Sequence, residues 1–406
     1  MTNIVFVAPF FLQTTLRFVD AAASLPDVRA GLISQDPLEK LPSGLRSKLA
    51  AHAPVADALD PDSILQGVRA IEGSIGPVER VLGTLEELQV PLGELRDRLD
   101  LPGMRAEAAA NFRDKDRMKT VLHRDGLPCA RHRLAGTVDE ALRFGREIGF
   151  PLVVKPPAGS GARGTHRVES ERQLGEALRL APPSPDGPVL LEEFIIGEEH
   201  SFDSICLDGR IVWYSVSDYS PGPLEVLREP WIQWTVLLPR EIDAPRYAGI
   251  REIAGPALTT LGMDTGLSHM EWFLRPEGSV AISEVGARPP GAQFTSLISW
   301  ASDFDLYAAW AELSVFERFQ PRPRPYAAGA AYLRGQGRGR VRAVEGLEEI
   351  RRDLGPLVVE ARLPQEGQPA SGTYEGEGFI ILRHAETAVV EEGLRRIVSR
   401  VRVELG

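Results

Sequence analysis

The stretch GLSHMEWFLRPEGSVAISEVGARPPG, residues 266–291, decides how the rest of the chain is read. MEWFL and VAISEV have the apolar and aromatic make-up of strands, and RPEGS between them has turn composition. A turn centred between Glu277 and Gly278 sets Glu271 opposite Glu284. Cross-strand partners share a face with Cβ atoms ~5 Å apart. Residues two apart on a strand share a face as well, so Gly286 and Arg288 join Glu284. Two carboxylates that close repel unless a cation lies between them, and an all-oxygen pair suits Mg²⁺, with Mn²⁺ as the alternative. Two other outcomes stay open: a different register turns one acid to solvent, or Arg288 merely neutralises the pair.

Two segments upstream bear on the same question. In VVKPPAGSGARGT (153–165) Lys155 ends an apolar strand and a loop of small residues follows. Gly159, Ser160, Gly161 and Gly164 let backbone N–H groups approach an anion, and Lys155 adds a point charge. No GKS or GKT follows, so this is not a Walker A loop, and the spacing is wrong for a dinucleotide fingerprint. Taken alone, the segment reads equally as a hairpin turn beside a surface lysine. In LEEFIIGEEHSFDS (191–204) Glu192 and Glu193 run into an apolar FII-Gly, and Glu198 and Glu199 follow. An extended hinge of this kind exposes a C=O and an N–H that fit adenine's amino group and ring nitrogen, with a carboxylate beyond for the ribose hydroxyls. In isolation it reads as an exposed acidic strand edge.

The 406 residues predict two to three domains at about 150 residues each. A hydrophobic share of 43% and a charged share of 25% exclude a disordered or fibrous chain. No apolar run approaches the ~18 residues of a membrane helix, so no membrane partner is expected. MTNIVFVAPFF lacks a basic n-region and a cleavage site. Cys129 and Cys206 build no disulfide framework and read as small core residues. A cytoplasmic setting is the default expectation. The net charge of −11 argues against a nucleic-acid partner.

Alternating strands and helices at the N-terminus predict a parallel sheet. The apolar runs are IVFVA (4–8) and one around 27–34, followed by VERVLGT (78–84) and helix-like LEELQVPLGELRDRL (85–99). This domain is placed at 1–108, ending at the Pro-Gly turn of LPGM. A charged helix is expected over 111–125, and another over 137–149 with Thr137 as N-cap. Strands follow at 151–156 and 189–195, and the pattern of strands at 200–217 and 266–285 predicts an antiparallel sheet. A helix is expected at 303–317. Pro-rich QPRPRPY (320–326) marks a second boundary, giving a middle domain at 109–325 and a C-terminal domain at 326–406. There, strands are expected at 356–363 and 378–384, then a helix with Val390, Leu394, Ile397, Val398 and Val401 on one face.

A phosphate loop with its lysine, an adenine-type hinge and a dicarboxylate hairpin, in that order, resemble the ATP-grasp superfamily over roughly residues 80–325. The resemblance implies an α/β, grasp-type α+β fold. A Rossmann-like parallel-sheet domain precedes a small subdomain (about 122–196) and a large one (about 197–325), and a small α+β domain closes the chain. It implies ATP bound between the subdomains and a carboxylate activated as an acyl phosphate for attack by an amine. RDKDRM (113–118) matches the first nucleotide lysine at Lys115, with Lys119 as the fallback one turn on. Lys155 matches the second lysine, on the α/β phosphates. Glu192 matches the hinge acid near the adenine amino group, Glu193 C=O and Ile195 N–H the backbone pair, and Glu199 the ribose acid. Glu271 and Glu284 match the metal carboxylates. Arg288 matches an arginine that, in the amino-acid-ligase branch, faces the transferred phosphate or the substrate carboxylate. The family commonly has Asn two residues after the second metal acid. Here it is Gly286, so one oxygen ligand is missing and a water takes its place if a metal binds.

The expected partners are therefore a small-molecule carboxylate and an amine, with a homodimer as one assembly. The activity expected is an ATP-dependent carboxylate–amine ligase of the L-amino acid ligase or biotin-carboxylase-like branch. Two alternatives stand beside it: activation of bicarbonate or formate, and a nucleotide-binding protein without turnover. A Gly-rich loop at 159–164 would shield the acyl phosphate as a lid. Tyr219, Trp231 and Trp234 in the Pro-rich stretch 218–234 line an acceptor pocket or pack a long loop. His269 shares a face with Glu271 and contacts substrate or is structural. Arg334, Arg338, Arg340 and Arg342 among glycines suggest either an RNA contact or a solvated hairpin, and so acidic a chain favours the hairpin.

Overall fold

An unbroken apolar run such as IVFVA suits a strand buried on both faces of a parallel sheet. In the computed structural model, which describes residues 1–159, 164–229 and 231–406, it lies in β1 (Thr2–Val7). After it come α1 (Gln13–Ala23), β2 (Val28–Ser34), α2 (Ser43–Arg46), β3 (Ala51–Pro54), α3 (Pro61–Ile75), β4 (Arg80–Leu82) and α4 (Gln89–Leu99). The four strands form a sheet of order β3-β2-β1-β4, parallel at each pairing. Helix α3 starts where Asp60 accepts the Ser63 N–H at 2.8 Å and Pro61 supplies a pre-set φ. This unit is docked on the rest of the molecule through rings: Phe18 of α1 lies 4.6 Å from Tyr307 and 5.0 Å from Trp310, centroid to centroid. Phe18 is fully buried, a burial that stabilises by about 1.5–3 kcal/mol.

The charged stretch expected as one helix is two, α5 (Ala106–Arg113) and α6 (Lys115–Arg124). Asp114 leaves the helical region between them and caps α6, accepting the N–H groups of Asp116 at 2.9 Å and Arg117 at 3.0 Å. A run of good helix formers does not show this break, because the cap competes through its side chain. Then come β5 (His132–Ala135), α7 (Val138–Ile148), β6 (Leu152–Lys155), β7 (His166–Val168), α8 (Glu171–Leu180) and β8 (Val189–Glu193). Their sheet has the order β5-β8-β6-β7 and is antiparallel at each pairing. Thr137 caps α7 as expected, in a capping box with Glu140.

The next part runs β9 (Glu198–Leu207), β10 (Arg210–Ser220), α9 (Pro223–Arg228), β11 (Trp234–Leu238), α10 (Ala248–Leu261), β12 (Gly266–Leu274), β13 (Val280–Gly286), α11 (Phe294–Ser302) and α12 (Leu306–Phe316). The segment 218–234 is therefore not one loop. Tyr219 and Trp234 sit on β10 and β11, which pair with Tyr219 opposite Val236. The chain ends with β14 (Ala327–Leu333), β15 (Gly335–Gln336), β16 (Val341–Glu345), α13 (Leu347–Leu354), β17 (Val358–Arg362), β18 (Gly378–His384), α14 (Thr387–Arg400) and β19 (Arg402–Leu405).

One eight-stranded sheet, β13-β12-β9-β10-β11-β14-β18-β17, carries most of this. It passes through the Pro-rich segment's two sides without interruption, because β14 pairs with β11 on one flank and β18 on the other. The Gly- and Arg-rich 333–344 stretch is not a hairpin. Strands β15 and β16 lie on either side of β19. Nor is all of it solvated: Arg334 is 6% exposed. It donates to the carbonyls of Val226 at 2.6 Å, Glu229 at 3.1 Å and Ile232 at 3.0 Å, pinning the turn after α9. Among the described residues no helix is long and apolar enough to cross a membrane.

Candidate active site

The hairpin β12–β13 brings Glu271 opposite Glu284 and His269 opposite Gly286. Nearer the turn the register slips by one, with Trp272 opposite Ile282, so Ser283 is the extra residue of a bulge. The bulge frees the Ser283 carbonyl from the ladder, and Lys119 Nζ takes it at 2.5 Å. The pairing expected from the turn thus holds at the two acids and fails between them and the turn.

Lys115 and Lys119 lie one turn apart on α6 and both reach this region, so the two positions named for the first nucleotide lysine are occupied together. Lys115 Nζ donates to Glu284 Oε1 at 2.7 Å and to the Gly159 carbonyl at 3.0 Å. Arg113 donates to the same carbonyl at 3.1 Å. Lys155, at the end of β6, meets Glu192 Oε2 at 2.9 Å, and Lys119 meets Glu192 Oε1 at 3.3 Å. Glu192 therefore spends both oxygens on the two lysines rather than on the hinge. Strand β8 ends at Glu193, and Phe194 and Ile195 leave the ladder to line the cavity. The Glu193 side chain is held at 2.8 Å by Arg131 Nε. Gly159 lines the cavity, and Gly164 turns at φ +71 where a Cβ would meet Pro156 Cγ at 3.2 Å. Ser160 and Gly161, with most of the lid expected at 159–164, lie outside the described residues.

Most of these groups, Arg113, Lys119, Arg131 and Gly164 excepted, line one cavity of about 220 Å³ between the four-stranded antiparallel sheet and the eight-stranded sheet. Its charges are mutually adjusted. Burial works against the Glu284 carboxylate, but the Lys115 and Lys155 charges prevail and hold it down at about 2. Burial and then the Glu271 charge push Glu199 up to about 8. Burial disfavours a charged Lys155, and the Glu192 and Glu284 carboxylates outweigh that and raise it. Lys119, fully enclosed, is lowered by burial despite Glu192. His269 Nδ1 lies 2.7 Å from Asp203 Oδ1 and its Nε2 3.6 Å from Glu271 Oε1. Burial lowers this imidazole, and the Asp203 carboxylate reverses that, raising it to about 9.

The donor set fits a hard divalent cation. Glu199, Glu271 and Glu284 crowd one end of the cavity, and the charges of the other two add to burial in raising the Glu199 carboxyl. Among the described residues no group of three or more His, Cys, Asp or Glu encloses a metal unaided. Mg²⁺ is ordinarily held by one or two carboxylates together with substrate phosphates and water, which is what Glu271 and Glu284 offer.

Three contributors escaped sequence reasoning. Glu86, from the N-terminal domain, is 8% exposed and accepts Arg288 Nε at 2.5 Å. It lies 4.0 Å from Arg113. Nothing in LEEL distinguishes it from a surface acid. It also bears on Gly286, since a Cβ there would sit 3.5 Å from Glu86 Oε2 and a longer side chain would enter the Glu86–Arg288 contact. Asp203 is buried beneath His269, and Tyr374 reaches the cavity from the C-terminal part. Of the aromatic residues expected near the acceptor, Tyr219 and Trp234 line the cavity, whereas Trp231 is 53% exposed.

Residues 120–301 match the ATP-grasp domain family. Over 329 residues the chain is 25% identical to an L-arginine-specific L-amino acid ligase of Bacillus subtilis, covering 80% of this chain and 78% of that protein. Over 228 residues it is 28% identical to the carbamoyl phosphate synthase large chain of Thermus thermophilus, covering 55% of this chain but 22% of that one. Among solved structures, an L-amino acid ligase from Bacillus licheniformis superposes with a TM-score of 0.79 at 19% identity, covering 100% of this chain and 99% of its own. An N5-carboxyaminoimidazole ribonucleotide synthetase from Thermotoga maritima gives 0.70 at 18% identity with 100% of both chains covered. The solved structures share the chain's architecture, and the family match places an ATP-grasp domain at residues 120–301.

Proposed function

We propose that the protein is an ATP-dependent carboxylate–amine ligase that forms an amide through an acyl phosphate. The observation that carries this is the meeting of Glu271 and Glu284 across one hairpin rung, in the same cavity as Lys115 and Lys155. Phosphoryl transfer depends on positioning and charge neutralisation more than on a protein nucleophile, and the groups here supply those two things. The relative named an L-amino acid ligase, alike over most of both chains, supports the same chemistry.

In this reading Phe194 and Ile195 bracket the adenine, Glu199 takes the ribose hydroxyls, and Lys115 and Lys155 face the phosphates. A carboxylate oxygen of the acid substrate attacks the γ-phosphorus, the bond to the β–γ bridging oxygen breaks, and ADP leaves with that electron pair. Lys155, already biased toward its charged form, meets the negative charge as it spreads. Arg288, fixed by Glu86, orients the acid's carboxylate. Mg²⁺, bound by Glu271 and Glu284, would neutralise the transferring phosphoryl group. The neutral amine then attacks the acyl carbon, the bond from that carbon to the phosphate oxygen breaks, and the departing phosphate takes the proton that the nitrogen gives up.

The test is a matrix of acids and amines with Mg-ATP, read by phosphate release and product mass. Release that requires both an acid and an amine, with a product heavier by their condensation, is expected. Release with bicarbonate or formate alone moves the protein to the small-acid-activating relatives. Tight ATP binding without turnover on any pair rules out catalysis.

A further inference from the structure

The cavity changes character past its acidic end. His269, Phe294, Tyr219, Trp234 and Tyr374 follow one another as a chain of rings. The centroid separations are 5.4 Å from His269 to Phe294, 5.9 Å on to Tyr219, 6.2 Å to Trp234 and 5.9 Å to Tyr374. Leu224 adds an aliphatic side to the same wall. The wall is built rather than adaptable. Trp234 and Phe294 are 3% and 4% exposed. Trp234 stacks on Tyr332 at 4.4 Å with the planes 15° apart, and its Nε1 donates to the Tyr374 carbonyl at 2.7 Å.

Its two ends fix where it lies relative to the chemistry. His269 stands two residues from Glu271 and contacts it. At the other end the Tyr374 hydroxyl comes up to Gly291, where a Cβ would be 3.3 Å away, and its phenol is a neighbour of Arg288. The rings therefore arch from the metal acids to the arginine. A carboxylate held between those two points turns whatever it carries onto this arch.

We infer that the arch is the side-chain subsite of the activated acid, and that this acid is an amino acid with a bulky apolar side chain, of leucine or phenylalanine type. The inference rests on the ligase reading and refines it. A basic side chain fits the arch worse. Ring faces attract a cation, but burying one without a carboxylate is costly. Of the acids that approach Tyr219, Glu271 and Glu199 are committed to the metal and nucleotide end, and Asp203 is paired with His269 at 2.7 Å. A small side chain leaves the rings uncovered, and each missing methylene in an apolar pocket lowers kcat/KM by about 10–200-fold at most.

The experiment measures kcat/KM for leucine, phenylalanine, alanine, arginine and glutamate as the acid, with Mg-ATP and alanine as a common amine. Leucine or phenylalanine is expected to exceed alanine by at least tenfold and arginine and glutamate by more. Leu224→Glu and Tyr219→Ala are then expected to raise KM for the bulky acid tenfold or more. In both, the Kd for ATP stays within about threefold, which also shows that they fold. Arginine, glutamate or alanine as the preferred acid overturns the subsite while leaving the ligase reading intact, as do variants that leave the KM for the bulky acid unchanged. No turnover with any acid while ATP binds overturns the ligase reading and the subsite together.

Discussion

Replacing Glu284 by glutamine tests the facing acids most directly, because it removes a charge and little else. The structure sets the size of the effect on folding. Against burial, the Lys115 and Lys155 charges hold the Glu284 carboxyl at about 2 rather than the usual 4.5, a preference for the ionised form of about 3 kcal/mol. The amide keeps an oxygen for Lys115 Nζ, now 2.7 Å from Glu284 Oε1, so only part of that is lost. We expect a destabilisation of about 1–3 kcal/mol, a fall of a few degrees in melting temperature, with a folded chain by circular dichroism. The effect on the reaction is far larger, because a preorganised group facing developing charge contributes about 10²–10³ in rate. Two binding measurements separate a metal role from a structural one. Without metal, ATP should bind the variant at least as tightly as the parent, since one negative charge facing the triphosphate is gone. Added Mg²⁺ should then improve binding and turnover far less than in the parent. A variant with parental turnover, or with its Mg²⁺ dependence intact, refutes the assignment.

Three further outcomes follow from the same geometry. Lys155→Met should weaken ATP binding at least tenfold and lower stability, since Glu192 keeps only Lys119 as a partner; isothermal titration reads the first and thermal melting the second, and unchanged ATP affinity counts against a phosphate role. Ligand-free stability should fall by several degrees as pH rises from 5.5 to 8.5: Glu199 folds with its carboxyl raised to about 8 and keeps a proton the unfolded chain releases near 4.5, while His269, raised to about 9 from 6.5, loses its stabilising charge in the upper part of that window. A flat or rising melting temperature across that range contradicts the sign, and Mg-ATP should flatten the slope. Arg334→Ala should cost about 3–5 kcal/mol by leaving the carbonyls of Val226, Glu229 and Ile232 without their shared donor; a variant melting within a degree of the parent shows that the turn after α9 does not depend on it.

How far the sequence could be read depended on whether the deciding contact was local. The Glu271–Glu284 rung matches the expectation only through the bulge: the turn sets Leu274 opposite Val280, which by a period of two would put Glu271 opposite Ser283, and the extra residue restores the pairing of the acids. The Ser283 bulge was not legible, because it is stabilised from outside the hairpin, by Lys119 of α6. Helix α10 was missed for a different reason. It holds Gly255 and Pro256 in mid-helix, a pair that disfavours a helix locally, yet Ile250, Ala254, Ala257, Leu258 and Leu261 are buried along it and tertiary packing overrides the local preference. Strand β11 hid inside an aromatic and Pro-rich stretch, because its partners, β10 and β14, are far away in sequence on one side. Glu86 is the extreme case. Its role depends on Arg288, about half a chain away, and no periodicity encodes that.

The placement of those non-local residues has a consequence for how the site works. The region matched to the family, 120–301, holds Lys155, Ile195, Glu199, Glu271 and Glu284 of the cavity, with Lys115 just before it. The other end of the cavity draws on chain further outside that region, with Glu86 from before it and Tyr374 from after it. Arg288 stands at the junction, held by Glu86 on one side and neighboured by Tyr374 on the other. If the cavity takes ATP and an acid as proposed, the two sets of contacts are not independent, because β12 carries both Glu271 and His269 and the Arg288 that follows β13 joins Glu86 to Tyr374. Under the proposed function, docking of the N-terminal sheet through Phe18, Tyr307 and Trp310 bears on specificity as well as stability: a shift of about 1 Å there that moved Glu86, and with it Arg288, is expected to cost on the order of 10²-fold in rate.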